Sequence, residues 1–415
     1  MTQSALRIAT CARLRIVDGR DPLGCWSRAT RMVLGMFFVS GVALQLGCSA
    51  PGDSETGSAR REHAVDSSRV DKLEVAQICT ECERLRRVAR FDVVEGDGII
   101  DESRYVALDS LGRVLVSSST GLRVYDIAAG FQLKRGRRGK GPMEFQSPGP
   151  VFFNRDKSVR VFDKHAFRET VLTFATLELD TIQRLPLGLI QDAIPLDDST
   201  LIVAAEFLDK SARGSPLHMI RGDSIIRSFG LLLGKTPKAT AVAPLDRQIA
   251  GVTERGSLVV ARSDRYLLEV WSLDGDLQMQ VVRPGLWETV EEASNKVGIL
   301  QRPHGTLRDA IIDGGTVLVT SHRPRADWRT RAIPEKDPAA SQLYTYRTSP
   351  TEMWESVVER IDLGSGRVLS QMVANSTLLS GFLGPTMLWG YSYGDDGRPI
   401  LEIIKVERST PPDAR

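Results

Sequence analysis

One pattern recurs along this chain and limits what it can fold into. A short apolar run meets a turn built from Asp, Asn, Gly or Ser, and a second short apolar run follows, as in a strand reversing on itself. Residues 248–262 show it most fully: apolar stretches flank Thr253, Glu254, Arg255 and Gly256, and the pattern continues through 266–272, the turn Asp274 and Gly275, and 277–282. Four strands are legible there. The same unit appears at 105–117, 151–174, 192–205, 308–320 and 378–393. Long helical periods are nearly absent.

Four-stranded sheets repeating at intervals of about 40 to 70 residues predict an all-β chain closed as a six-bladed β-propeller. The fifth unit starts at 308–320, breaks off, and resumes at 357–370. The sixth offers three good strands, and the stretch 85–94 stands alone ahead of the first unit, so an N-terminal strand is expected to complete the last blade. Such closure removes the free sheet edges that invite aggregation. A pair of β-sandwich domains would instead require a break in composition near the middle, and none is present. With 42% hydrophobic residues, 36 Gly and 20 Pro, the chain has material for a large core and many tight turns. A formal net charge of +2 argues against a general nucleic-acid binder.

The first 48 residues read as an export signal. Arg28 and Arg31 precede an apolar run over 32–46, shorter than the roughly 20 residues that span a bilayer. It ends in Leu46, Gly47 and Cys48, a sequence similar to a bacterial lipobox; Gln45 departs from that pattern. The resemblance implies cleavage and lipidation at Cys48, with a plain secretory signal as the alternative. Residues 49–72, rich in Ser, Gly and charge, read as a disordered tether. The propeller is expected over 73–408 and a tail over 409–415.

Of five cysteines, Cys79 and Cys82 are the two that fall in the expected mature domain. A zinc site needs further ligands that the neighbourhood lacks, and a thioredoxin-like dithiol needs a helix start. A structural disulfide, a reduced pair and a redox pair stay open, the disulfide favoured by export.

Gly136, Gly139, Gly141, Pro142, Glu144, Phe145 and Pro148 form a segment that resembles the inter-blade joint of NHL-repeat-like six-bladed propellers. With the leader, the chain resembles bacterial exported propeller lipoproteins. The resemblance implies a scaffold and a place in the cell envelope, at the periplasm or outer membrane, and no reaction. Phe145 and Trp271 read as core anchors. Lys134, Arg135, Arg137, Arg138 and Lys140 read as a solvated basic loop, and export removes nucleic acid as their partner.

Two sets of residues read as candidate binding sites. His304 and His322, with Arg308 and Arg323, flank the start of the fifth blade and could line the mouth of the central channel. The insertion 324–354 carries Trp328, Tyr344, Tyr346 and Trp354, a composition suited to gripping a partner. The expected function is a non-catalytic module, acting as a monomer without cofactor. It would be held to a membrane by its lipid and would bind a protein, peptide or glycan. The alternative is a propeller hydrolase or lyase in the channel, with calcium held by residues such as Asp109, Asp192 and Asp309.

Overall fold

The hairpins legible in the sequence close as antiparallel ladders in a computed structural model, and together they form six four-stranded sheets. The structure describes residues 70–72, 78–92, 105–118, 120–154, 158–197, 199–207, 217–230, 247–263, 266–283, 305–331, 334–336, 344–346 and 348–408. Cys48 and His304 lie outside them.

From the channel outward, blade 1 consists of Tyr105–Leu108, Arg113–Ser118, Gly121–Asp126 and Gly130–Arg135. Blade 2 is Pro148–Phe153, Ser158–Asp163, Arg168–Thr173 and Leu179–Arg184. Blade 3 is Leu187–Pro195, Thr200–Phe207, Leu217–Arg221 and Ser224–Phe229. Arg247–Val252, Ser257–Arg262, Leu267–Ser272 and Leu277–Val282 make blade 4. Blade 5 uses Thr306–Asp313, Thr316–Pro324, Trp354–Asp362 and Arg367–Ala374. Blade 6 takes Leu378–Gly384, Met387–Tyr393 and Pro399–Arg408 from the end of the chain and Glu83–Phe91 from its beginning.

The sheets pack against neighbours on both faces, so the second strands of blades 1, 3, 4 and 5 carry continuous apolar runs rather than alternating ones, whereas that of blade 2 alternates around Arg160. Val114 and Val116 pack toward blade 6, while Leu115 between them packs toward blade 2. In blade 3, Leu201, Val203 and Ala205 face blade 2, and Ile202 and Ala204 face blade 4. Six such inter-blade cores run around the ring. Each fully buried Val, Leu or Ile contributes about 1.5–3 kcal/mol, so the stability of the ring is distributed over its blade interfaces.

The expected N-terminal closure is present. Leu85 pairs with Val406 and Phe91 with Leu401, and the register slips between Arg87 and Ala89. Upstream, the chain runs along the rim. Cys79 and Cys82 form a disulfide with a Cα–Cα distance of 5.6 Å. The Cys79 N–H donates to Leu369 O, and Gln371 N–H donates to Cys79 O, which docks this turn on the outermost strand of blade 5. Glu83 is buried there, receiving Arg360 Nη2 at 2.8 Å and the Ser370 hydroxyl. Further back, Val70–Lys72 pairs in parallel with the outermost strand of blade 4. Residues 70–72, the end of the stretch expected as a tether, are thus a strand, because an open strand edge offers backbone partners that do not depend on side-chain polarity; residues 49–69 lie outside the described residues.

The glycine-rich joint between blades 1 and 2 folds back on itself, Arg137–Arg138 pairing in parallel with Glu144–Phe145. Phe145 is fully buried in the core between these blades. Gly136 sits at φ +73°, and a methyl there would stand 2.6 Å from both Met143 O and the Phe145 ring. Glu144 caps the turn, accepting Gly141 N–H at 2.8 Å and Lys140 N–H at 3.0 Å. Trp271 is buried between blades 3 and 4.

Candidate functional site

The insertion in blade 5 connects its second and third strands, with Pro324 and Trp354 as the last paired residues of the ladder. Connections of this kind emerge at the same end of the ring as the starts of the innermost strands, so the insertion rises from the face on which those strands begin. It contains a helical turn, Trp328–Arg331, a small hairpin of Pro334–Lys336 with Tyr344–Tyr346, and a second helical turn, Pro350–Met353. Its base is fixed. Arg325 N–H donates to Met353 O, Arg325 Nη1 donates to Asn375 O at 2.9 Å, and Arg331 pairs with Asp327 at 2.6 Å. Trp328 and Met353 are buried and Trp354 is half-buried. Of Tyr344 and Tyr346 the structure describes the backbone, as a strand.

His322 and Arg308 come together at the mouth. His322 is 9% exposed, and its Nε2 lies 2.9 Å from Leu379 O on the innermost strand of blade 6. Burial, followed by the nearby Arg308 charge, pushes its pKa down to about 3. The imidazole is therefore neutral and donates to that carbonyl, which makes it a link between blades 5 and 6 rather than an acid or base on call. Arg323 pairs with Glu355 at 2.5 Å. It also lies near Arg283, whose guanidinium pairs with the buried Glu359. Glu359 is further held by Tyr266 Oη and Gln371 Nε2, each at 2.7 Å.

Two aspartates on innermost strands have carboxyl pKa values raised by burial. In blade 3, Asp192 Oδ1 accepts Ala193 N–H at 2.8 Å and Oδ2 accepts Ile249 N–H of blade 4 at 2.7 Å. In blade 5, Asp309 Oδ1 accepts Ala310 N–H at 2.8 Å and Oδ2 accepts Phe382 N–H of blade 6 at 2.7 Å. Each carboxyl thus staples its own blade to the next. Burial raises Asp192 to about 6, against the pull of the Lys164 charge. Burial and then the Asp192 charge raise Asp309 to about 7. Lys164 in turn stacks 4.6 Å above the Tyr105 ring, and Tyr105 Oη donates to Gln191 O at 3.0 Å.

Asp109 does not join them. It sits in the hairpin of blade 1, at the opposite end of the ring from the insertion, where it accepts Leu111 N–H and Arg113 N–H at 2.8 Å and pairs with Arg113. Asp192 and Asp309 alone supply fewer oxygens than the about six to eight that calcium takes, and each of those oxygens accepts one backbone N–H. Among the described residues no group of three or more His, Cys, Asp or Glu side chains could hold a metal ion.

Sequence reasoning considered Asp192 and Asp309 for a calcium site and missed their role as staples between blades. A signal was present nonetheless: the tripeptide Asp-Ala-Ile occurs in both innermost strands, at 192–194 and 309–311.

No protein-family model matches the sequence, and no curated protein does. Solved structures do. A member of the DUF4221 family from Bacteroides vulgatus superposes with a TM-score of 0.51 at 9% identity, over 80% of this chain and 99% of that one. A Bacteroides fragilis protein inferred to be exported superposes with a TM-score of 0.52 at 11% identity, over 82% and 99%. At these identities the likeness is one of fold, and the fold is the β-propeller.

Proposed function

We propose that this protein is a non-catalytic binding propeller of the bacterial cell envelope, of the exported NHL-like lipoprotein type. It is anchored through Cys48 and presents its channel mouth and the insertion 324–354 to a protein, peptide or glycan. The observation that carries the reading is the state of the polar groups at the mouth. His322, Asp192 and Asp309 are each committed to backbone partners on a neighbouring blade. A general acid or base must reach a substrate proton, and these groups spend their bonding on the ring. The folded insertion beside them supplies a surface instead. The export half rests on the apolar run 32–46 and the lipobox-like Cys48, and the inferred export of the Bacteroides fragilis neighbour agrees with it.

The test is to replace residues 325–353 by a short Gly-Ser connection and compare partners recovered from the envelope of the source cell. Loss of a partner that the full chain recovers is expected, and an unchanged set would refute the insertion as the binding surface. Mass spectrometry of Cys48→Ala against the parent checks the anchor: acylation should vanish, and identical masses apart from the substitution would refute lipidation.

A further inference from the structure

The strand that closes the ring carries more positive charge than any other rim strand. Glu83–Phe91 contains Arg84, Arg86, Arg87 and Arg90, with side chains 44% to 72% exposed. Its partner strand adds Lys405 and Arg408. These two strands hold six cationic side chains against three anionic ones, Glu83, Glu402 and Glu407, and Glu83 is already taken by Arg360. Charge on an edge strand is a common protection against edge-to-edge pairing. Protection alone does not account for this amount, because the outermost strands of the other five blades each carry two Lys or Arg at most.

The arginines are paired without being used up. Arg84 and Arg86 share Glu407, Arg87 rests on Glu402 at 2.8 Å, and Arg90 meets Asp92 at 3.0 Å. A guanidinium has five N–H donors in a planar fork, and these contacts occupy one or two of them. The remaining donors face solvent along the rim, in the geometry that grips phosphate oxygens. The same rim is where the N-terminal segment runs. Val70–Lys72 lies on blade 4, Cys79 on blade 5, and Glu83–Phe91 completes blade 6. At Val70 the chain therefore lies on the circumference of the ring.

We infer that the arginine rim of blade 6 is a docking surface for anionic phospholipid headgroups, which lays the tethered propeller edge-on to the membrane. This orientation rests on the envelope reading above, and it leaves the channel mouth and the insertion open to a partner.

The experiment is sedimentation of the purified full chain with vesicles of phosphatidylcholine alone and of phosphatidylcholine mixed with phosphatidylglycerol, at low and physiological salt. Any affinity from the apolar 32–46 segment is common to both vesicles, so the phosphatidylglycerol dependence is the readout. Each surface arginine near an anionic headgroup is worth about fivefold in partitioning. Arg86→Gln/Arg90→Gln should therefore lower the phosphatidylglycerol-dependent binding by up to about thirtyfold. The control Arg138→Gln/Lys140→Gln removes the same charge from the exposed loop between blades 1 and 2 and should lower it by less than about threefold. Arg86→Lys/Arg90→Lys, with an unchanged melting temperature, should keep most of the binding and so separates lost charge from lost fold. Equal losses in the rim and loop variants, or equal binding of the parent to both vesicles, would overturn the inference. An unacylated Cys48 would remove the anchor and leave this result standing.

Discussion

Replacing Asp309 with Asn tests the channel staple through its dependence on pH. The carboxyl accepts two N–H groups, one within blade 5 and one from blade 6. Asn has a single acceptor oxygen, so its amide nitrogen must face one of those donors. Leaving a buried N–H without an acceptor costs about 1–3 kcal/mol. The wild-type residue carries a cost of its own, because its pKa rises from 3.8 to about 7 on folding. A carboxyl with a raised folded-state pKa holds its proton more tightly when folded. Its contribution therefore favours folding at low pH and falls as the pH rises from about 4 through 7, by on the order of 2–4 kcal/mol. Asn has no such dependence. Chemical denaturation of both proteins from pH 5 to pH 8 should show the variant less stable at pH 5 and the gap narrowing or reversing by pH 8. In Asp192→Asn the narrowing should centre nearer 6, and removing that neighbouring charge should pull the Asp309 midpoint down. A gap that stays constant across this range would refute the reasoning.

Four further outcomes follow from the packing. Cys79→Ser/Cys82→Ser should cost about 2 kcal/mol by the loop-entropy relation for so short a loop, read by denaturant titration under oxidising conditions; no loss, or no difference from the reduced parent, would count against a closed disulfide. Gly136→Ala forces a side chain into the left-handed region against Met143 O and the Phe145 ring, so a loss of about 1–3 kcal/mol is expected. Gly384→Ala, whose methyl would meet nothing, should be nearly neutral in the same melting assay. Arg360→Met strands the buried Glu83 carboxylate at the closure and should cost about 3–5 kcal/mol, with faster hydrogen exchange in strand Glu83–Phe91.

The fold was largely legible because each blade repeats one local grammar. Turn residues between apolar runs mark hairpins, and the missing fourth strand of the last unit pointed to the orphan stretch at the other end of the chain. Phe145 was legible for a similar reason, being a lone aromatic in a glycine-rich joint. Channel chemistry was less so. Asp192 and Asp309 lie 117 residues apart in sequence, and nothing local tells that their carboxyls meet backbone donors of the following blades. His322 stood out for its place at the start of the fifth blade, yet its role is set by Leu379 O, a backbone atom with no signature in composition. The strand Val70–Lys72 was hidden for the same reason: its polar residues read as linker, while the pairing that holds it is made by backbone.

The claim that the insertion face is the binding face is tested most directly by photo-crosslinking in living source cells. A photoreactive amino acid is placed at Glu352, exposed on the insertion, or at Leu111, exposed at the opposite end of the ring. A discrete adduct from Glu352 that is absent from Leu111 is the predicted result. Adducts from Leu111 alone, or the same adducts from both positions, would contradict it.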